Sequence, residues 1–213
     1  MDIYQTRYSD AHGEETTVIS NDGQTLRMVL RGVEFSGSDF EDFEPAEFTL
    51  AERLTGFEFD HQWLCSCRFQ CEIPIRIHGK GAEAPGLLFG DIKLGAPESH
   101  TSTTHMELHY RDARCEGIGD DGWFETHLLH IQKQLPDGVF IKCCVNCLFS
   151  DYSPSGSGSF GCMACFRNCK AEYLAIKSKR DFWPVLKKRD RWVRETYLCE
   201  EFERRIPGTG YRG

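Results

Sequence analysis

Cys144, Cys147, Cys162 and Cys165 stand in the pattern C-x2-C-x14-C-x2-C, inside a stretch that reads CCVNCLFSDYSPSGSGSFGCMAC. Tetrahedral zinc takes four soft donors at about 2.3 Å, and two C-x-x-C turns can each present a pair of thiolates to one ion. The same four sulfurs suit an iron centre or a redox pair. The remaining alternative is a set of small buried apolar residues. Cys143 precedes Cys144, and on a strand the two side chains point to opposite faces. The x2 spacing favours Cys144 as the ligand. Cys169 lies one helical turn beyond Cys165, and Cys199 is placed to swing in and replace Cys162. Four donors drawn from these seven cysteines, holding a structural Zn2+, is the expectation.

Cys65, Cys67 and Cys71 form a different group. They share one face of LCSCRFQCEIPIRI with Phe69, Ile73, Ile75 and Ile77, and Ser66, Arg68, Gln70, Glu72 and Arg76 take the other. A cysteine on the core face of a strand behaves as a small hydrophobe. In THMELHY a strand puts His105, Glu107 and His109 on one face, which would suit a metal-dependent enzyme. The competing expectation is the wet side of an antiparallel sheet, with Met106, Leu108 and Tyr110 inside. No G-x-S-x-G, H-E-x-x-H or Walker pattern occurs, and HGKGA lacks the rest of a phosphate loop.

Charge is uneven along the chain. The net charge is −8, yet KSKRDFWPVLKKRDRWVR mixes cations with Phe182, Trp183 and Trp192. Lys177, Lys179, Arg180, Lys187, Lys188 and Arg189 are therefore candidates for tracking a nucleic-acid backbone, with aromatic neighbours to stack on bases. The alternative packs the aromatics against the β-domain and leaves the charges in water or paired with the acidic N-terminal region.

These residues need elements to hold them. Asn21-Asp22-Gly23 signals a hairpin, and the Cys65–Ile77 alternation predicts a half-buried strand. Pro74 places that strand at an edge or a bulge. GKGAEAPG reads as a loop, and WFETHLLHIQKQLPDGVFIKCC as a hairpin turning at Pro136-Asp137-Gly138. Together these predict a mainly β (α+β) chain: an antiparallel β-sandwich over residues 1–140, then a Cys-rich treble-clef-like zinc module with C-terminal helices over 141–213, packed on the first. SPSGSGS, residues 153–159, reads as a loop tip. Phe166, Cys169, Tyr173 and Ile176 follow helical spacing, as do Val193, Tyr197, Leu198, Phe202 and Ile206.

The start MDIYQTRYSDAHGEE has no basic n-region and no apolar core, and no run approaches the ~18 apolar residues of a membrane span. A cytoplasmic chain with reduced thiols is expected, with no membrane partner. The tail GTGYRG ends in Gly213; an ordinary free terminus is the expectation, and covalent attachment to another protein the lesser alternative.

IKCCVNCLFSDYSPSGSGSFGCMACFRNCKAEYL followed by ETYLCEEFERRIPGTGYRG resembles a family of bacterial proteins of unknown function, chiefly over residues 123–213. That resemblance implies a bacterial, cytoplasmic protein and brings no activity with it. The sequence as a whole points to a zinc-stabilised binding or adaptor protein rather than an enzyme, with another protein as partner and nucleic acid as the alternative.

Overall fold

Alternating apolar and polar residues give strands with one buried face, and tight turns join each strand to the next. The computed structural model describes residues 1–97, 101–118, 122–156 and 158–211. Gly213, at the end of the tail, lies outside the described residues, as does Ser157 of the SPSGSGS loop. The strands are β1 (Asp2–Asp10), β2 (Gly13–Asn21), β3 (Leu26–Leu30), β4 (Val33–Gly37), β5 (Glu44–Pro45), β6 (Glu58–Asp60), β7 (Trp63–Cys65), β8 (Cys67–Gly79), β9 (Ala82–Leu94), β10 (Thr103–Tyr110), β11 (Ala113–Gly117) and β12 (Phe140–Lys142). Three shorter ones follow: β13 (Ser150–Tyr152), β14 (Cys162–Cys165) and β15 (Arg191–Arg194). The helices are α1 (Phe124–Gln134), α2 (Lys170–Leu174) and α3 (Lys179–Leu186). The chain is thus mainly β, of the α+β class, with antiparallel sheets.

The N-terminal strands do not form a two-sheet sandwich. They join edge to edge in one ten-stranded sheet, ordered β11-β10-β9-β8-β1-β2-β3-β4-β5, with β12 also on β8. The physical reason is the connectivity: within β1–β5 and within β8–β11 each strand pairs with its chain neighbour, and β1 pairs with β8 to join the two groups edge to edge. Lys80-Gly81, both with positive φ (53° and 77°), make the two-residue turn that pairs β8 with β9 from Cys67↔Leu94 to Gly79↔Ala82. GKGAEAPG is therefore only briefly a loop, because β9 resumes at Ala82.

β8 is the spine of the sheet. Its side chains alternate as read from the sequence, with Cys67, Phe69, Cys71, Ile73, Ile75 and Ile77 all buried. Opposite β9, its other edge is shared: β1 pairs with Arg68–Glu72 and β12 with Arg76–His78. Pro74, which has no N–H to donate, falls in the gap between those two partners.

The buried face is covered by a helix and loops. Phe124, Leu128 and Ile131 of α1 are fully buried and follow four- and three-residue spacing. The hairpin expected over residues 123–144 is thus corrected to helix, turn and β12; the turn at Pro136–Val139 forms as expected. Phe40, Phe69, Phe124 and Phe160 meet here, with Phe124 and Phe160 centroids 4.5 Å apart.

A second apolar cluster forms beyond residue 146. Phe149, Phe166, Tyr173, Ile176, Phe182, Val185 and Leu186 build it, and Phe166 stacks on Tyr173 at 4.6 Å. The helical spacing of Phe166 to Ile176 is realised in a short 3-10 turn and α2. The expected helix over Val193, Tyr197, Leu198, Phe202 and Ile206 does not form. Residues 191–194 are β15, and those after them spend their backbone hydrogen bonds on the Cys144 turn. No helix among the described residues is long and apolar enough to cross a membrane.

Candidate metal centre

A turn of 3-10 helix, Cys144–Asn146, follows β12 directly. Cys143 is extended (φ −155°), and the Cys147 N–H closes on the Cys144 carbonyl at 3.0 Å. The Asn146 side chain pins the turn by donating to the Ile141 carbonyl at 3.0 Å. The Ser150 hydroxyl donates to the Cys144 carbonyl.

The chain returns to this turn fifty residues later. Val145 N–H donates to Glu195 O at 3.0 Å, and Cys144 N–H to Tyr197 O at 2.8 Å. Leu148 N–H donates to Glu203 O at 2.7 Å, Arg205 N–H to Asn146 O at 2.8 Å, and Cys147 bridges Arg204 antiparallel. Residues 195–205 therefore form a strap around the turn, with Cys199 midway along it. Cys165 reaches the same place from β14, whose partner β13 pairs Ser150 with Cys165.

Five sulfurs thus share one neighbourhood. The Cys144 thiol feels the charges of Cys147 and Cys143 first, then of Cys165 and Cys199; Cys165 feels Cys199 and Cys147. Backbone N–H groups point at the sulfurs. Cys147 accepts from Phe149 and Glu203, and Cys165 from Arg167. Such donors favour the thiolate form, whereas burial opposes it. Burial is the larger influence: it lifts Cys144 well above the ordinary thiol range and also raises Cys147 and Cys165. As the side chains stand, no group of three or more His, Cys, Asp or Glu among the described residues is set to hold a metal ion. The sulfurs are close without being arranged as a finished shell.

Cys162 is placed elsewhere. Three residues apart on a strand, Cys162 and Cys165 face opposite ways. The Cys162 thiol is surrounded by Arg194, Glu195, Arg189 and Asp39 instead of cysteines. The treble-clef expectation put the second C-x-x-C at a helix start; that pair lies in β14, and this is why it splits. Cys143 is fully buried in the main core, its thiol pushed up to about 12 by burial. Cys169 donates to the Lys188 carbonyl at 3.6 Å, away from the other four. All eleven cysteines are free.

His105, Glu107 and His109 do lie on the outward face of β10, with Met106, Leu108 and Tyr110 buried. His109 Nε2 is bonded to Glu107, which is pulled below the usual carboxylate range mainly by that bond. His105 turns instead to Glu116 at 3.6 Å. The basic candidates sit on and around α3. Lys188 pairs with Glu172 at 3.4 Å, and the Arg189 guanidinium lies 4.6 Å from the Trp192 ring centre. Lys177, Lys179, Arg180 and Lys187 are exposed.

One buried polar group escaped the sequence reading. Glu195 is fully buried, accepts from the Tyr152 hydroxyl, and is pushed up to about 8 by burial. Asp39, pushed up to about 6 by burial, accepts from Phe160 N–H at 3.0 Å and from the Ser159 hydroxyl at 3.1 Å. The two carboxyl groups anchor the far end of the SPSGSGS loop from below. The only sequence sign is the small residues at 158 and 161, where an added Cβ would sit 2.0 Å from Asp39 and 2.5 Å from Glu195.

The chain belongs to a family of unknown function, DUF6304, whose model matches residues 2–150. The match covers the sheet, α1 and the Cys144 turn, so it falls mostly ahead of the C-terminal stretch on which the sequence resemblance rested. No curated protein and no solved structure matches the chain.

Proposed function

We propose that the chain is an intracellular binding module whose C-terminal part is braced by one structural zinc, held by Cys144, Cys147, Cys165 and Cys199. The observation that carries this is the strap. Four backbone hydrogen bonds tie residues 195–205 to the Cys144–Leu148 segment, and Cys199, midway along the strap, lies near Cys144, Cys147 and Cys165. The donors aimed at Cys147 and Cys165 favour the ligating thiolate form. Binding would release the thiol protons, so the ion reverses the effect of burial. Structural zinc sites of this sort contribute on the order of 10 kcal/mol to folding. Four protein sulfurs also leave no open coordination position, which suits bracing better than catalysis.

Elemental analysis of the purified, reduced chain tests the assignment. One zinc per chain is expected. Cys144→Ser, Cys147→Ser, Cys165→Ser and Cys199→Ser should each lower it, and Cys162→Ser and Cys169→Ser should leave it at one. A metal-free native chain, or retention in C199S with loss in C162S, rejects the quartet.

A further inference from the structure

The second apolar cluster holds α3 by one side only. Phe182, Val185 and Leu186 face inward and are buried. Lys179, Arg180, Trp183 and Lys187 are exposed and fall at three- and four-residue intervals, so they are neighbours on the outer face. Trp183 is 42% exposed and makes no ring contact with another aromatic residue or cation among the described residues. Lys177 stands just before the helix, whose first turn is capped by the Ser178 hydroxyl accepting from Asp181 N–H. Lys177, Lys179, Arg180 and Lys187 make no ion pair among the described residues, in contrast to Lys170 and Lys188 on the same module. Four uncompensated cations around an indole are unusual on a chain of net charge −8.

We propose that this face of α3 binds single-stranded nucleic acid, with Trp183 stacking on a base and the four cations pairing with phosphates. Charge complementarity argues for a polyanion, and the acidity of the rest of the chain confines its approach to this face. The indole argues for unstacked bases, since stacking on an aromatic ring is sequence-tolerant and needs a base with a free face. A lipid surface is the poorer match. The apolar side of α3 is already spent on Phe166 and its neighbours, which leaves a single aromatic ring to enter a bilayer. The proposal names a partner for the binding module described above and does not require the metal.

Fluorescence anisotropy with labelled 12-nucleotide oligothymidylate and oligouridylate, on full-length chain of measured zinc content, tests it. Saturable binding at low salt is expected, with a log–log salt slope of roughly −3 for four phosphates. Trp183→Ala should weaken binding about tenfold, as loss of one stacked base does. Lys179→Glu with Arg180→Glu should abolish it. Both changes are on exposed positions, and unchanged thermal melting confirms that the variants fold. No anisotropy change at the lowest salt overturns the proposal. So does W183A binding as tightly as the parent, or co-sedimentation with phosphatidylserine vesicles while oligonucleotides fail to bind. Oligonucleotide binding by zinc-free chain would sink the metal assignment and leave this one standing.

Discussion

The ten-stranded sheet and the region after residue 146 use the same residue types in opposite ways. Cys67 and Cys71 sit in a strand whose apolar face is continuous, and each is one small side chain among phenylalanines and isoleucines. Cys144, Cys147, Cys165 and Cys199 sit on a turn, a strand end and a loop, with backbone N–H groups directed at two of them. Most of the sheet is built by pairing between chain neighbours, with β1 and β12 on β8 as its long-range joins. The later region has three strands of three or four residues and two helices of eight or fewer. Elements that short bury little apolar surface, so long-range ties must hold them. The difference teaches that buried thiols can sit in unlike surroundings: Cys71 accepts from the Thr6 hydroxyl within a sheet, whereas Cys147 and Cys165 accept from backbone N–H groups at a turn and a strand end.

If the proposed zinc is bound, its removal should separate the two regions most sharply. A strong chelator is then expected to cost the region after residue 143 on the order of 10 kcal/mol and most of its order, while the sheet stays protected. Amide hydrogen exchange read segment by segment checks this, and equal loss of protection in β8 and β14 would erase the distinction. Next comes Phe69→Ala, at the meeting of Tyr8, Phe40 and Phe43. It should destabilise the sheet by about 3–5 kcal/mol, as aromatic core truncations do, with zinc content unchanged in the surviving folded fraction.

Glu195 gives a smaller, pH-dependent effect. Its carboxyl is held up to about 8, against an ordinary 4.5. The folded chain therefore binds a proton that the unfolded chain has released. Stability falls as pH rises from about 4.5 towards 8, by on the order of a few kcal/mol. Glu195→Gln should flatten that slope in urea titrations at pH 5 and pH 8. Taking the difference from the parent cancels the pH dependence of the thiols. An unchanged slope would place the proton elsewhere. The smallest effect belongs to Arg7→Ala on the outer face, whose pair with Glu14 is more than half exposed. Less than about 1 kcal/mol is expected in the urea midpoint.

Much of the sheet was legible because its signal is local. The alternation from Cys65 to Ile77 and the turn after Asn21 need no knowledge of distant residues. α1 was misread because Phe124, Leu128 and Ile131 lie in a stretch that ends in a true turn and a true strand, which made a hairpin plausible. Val193, Tyr197 and Leu198 mimic a helical stripe, but their segment takes its hydrogen-bond partners from residues 144–148. No local pattern carries that information. Which of Cys162 and Cys199 lies near Cys144 is not legible in the spacing for the same reason: it depends on β14 being a strand, which is set by its neighbours β13 and β15.

The strap also fixes an order of events. Val145, Cys144 and Leu148 offer N–H groups whose acceptors, on Glu195, Tyr197 and Glu203, are made last. During synthesis the hairpins of the sheet can zip as they emerge, yet the Cys144 turn must wait, exposed and incomplete, for some fifty further residues. The nascent chain therefore passes through a stage in which its sheet is formed and its thiols are still open to whatever metal or oxidant reaches them first.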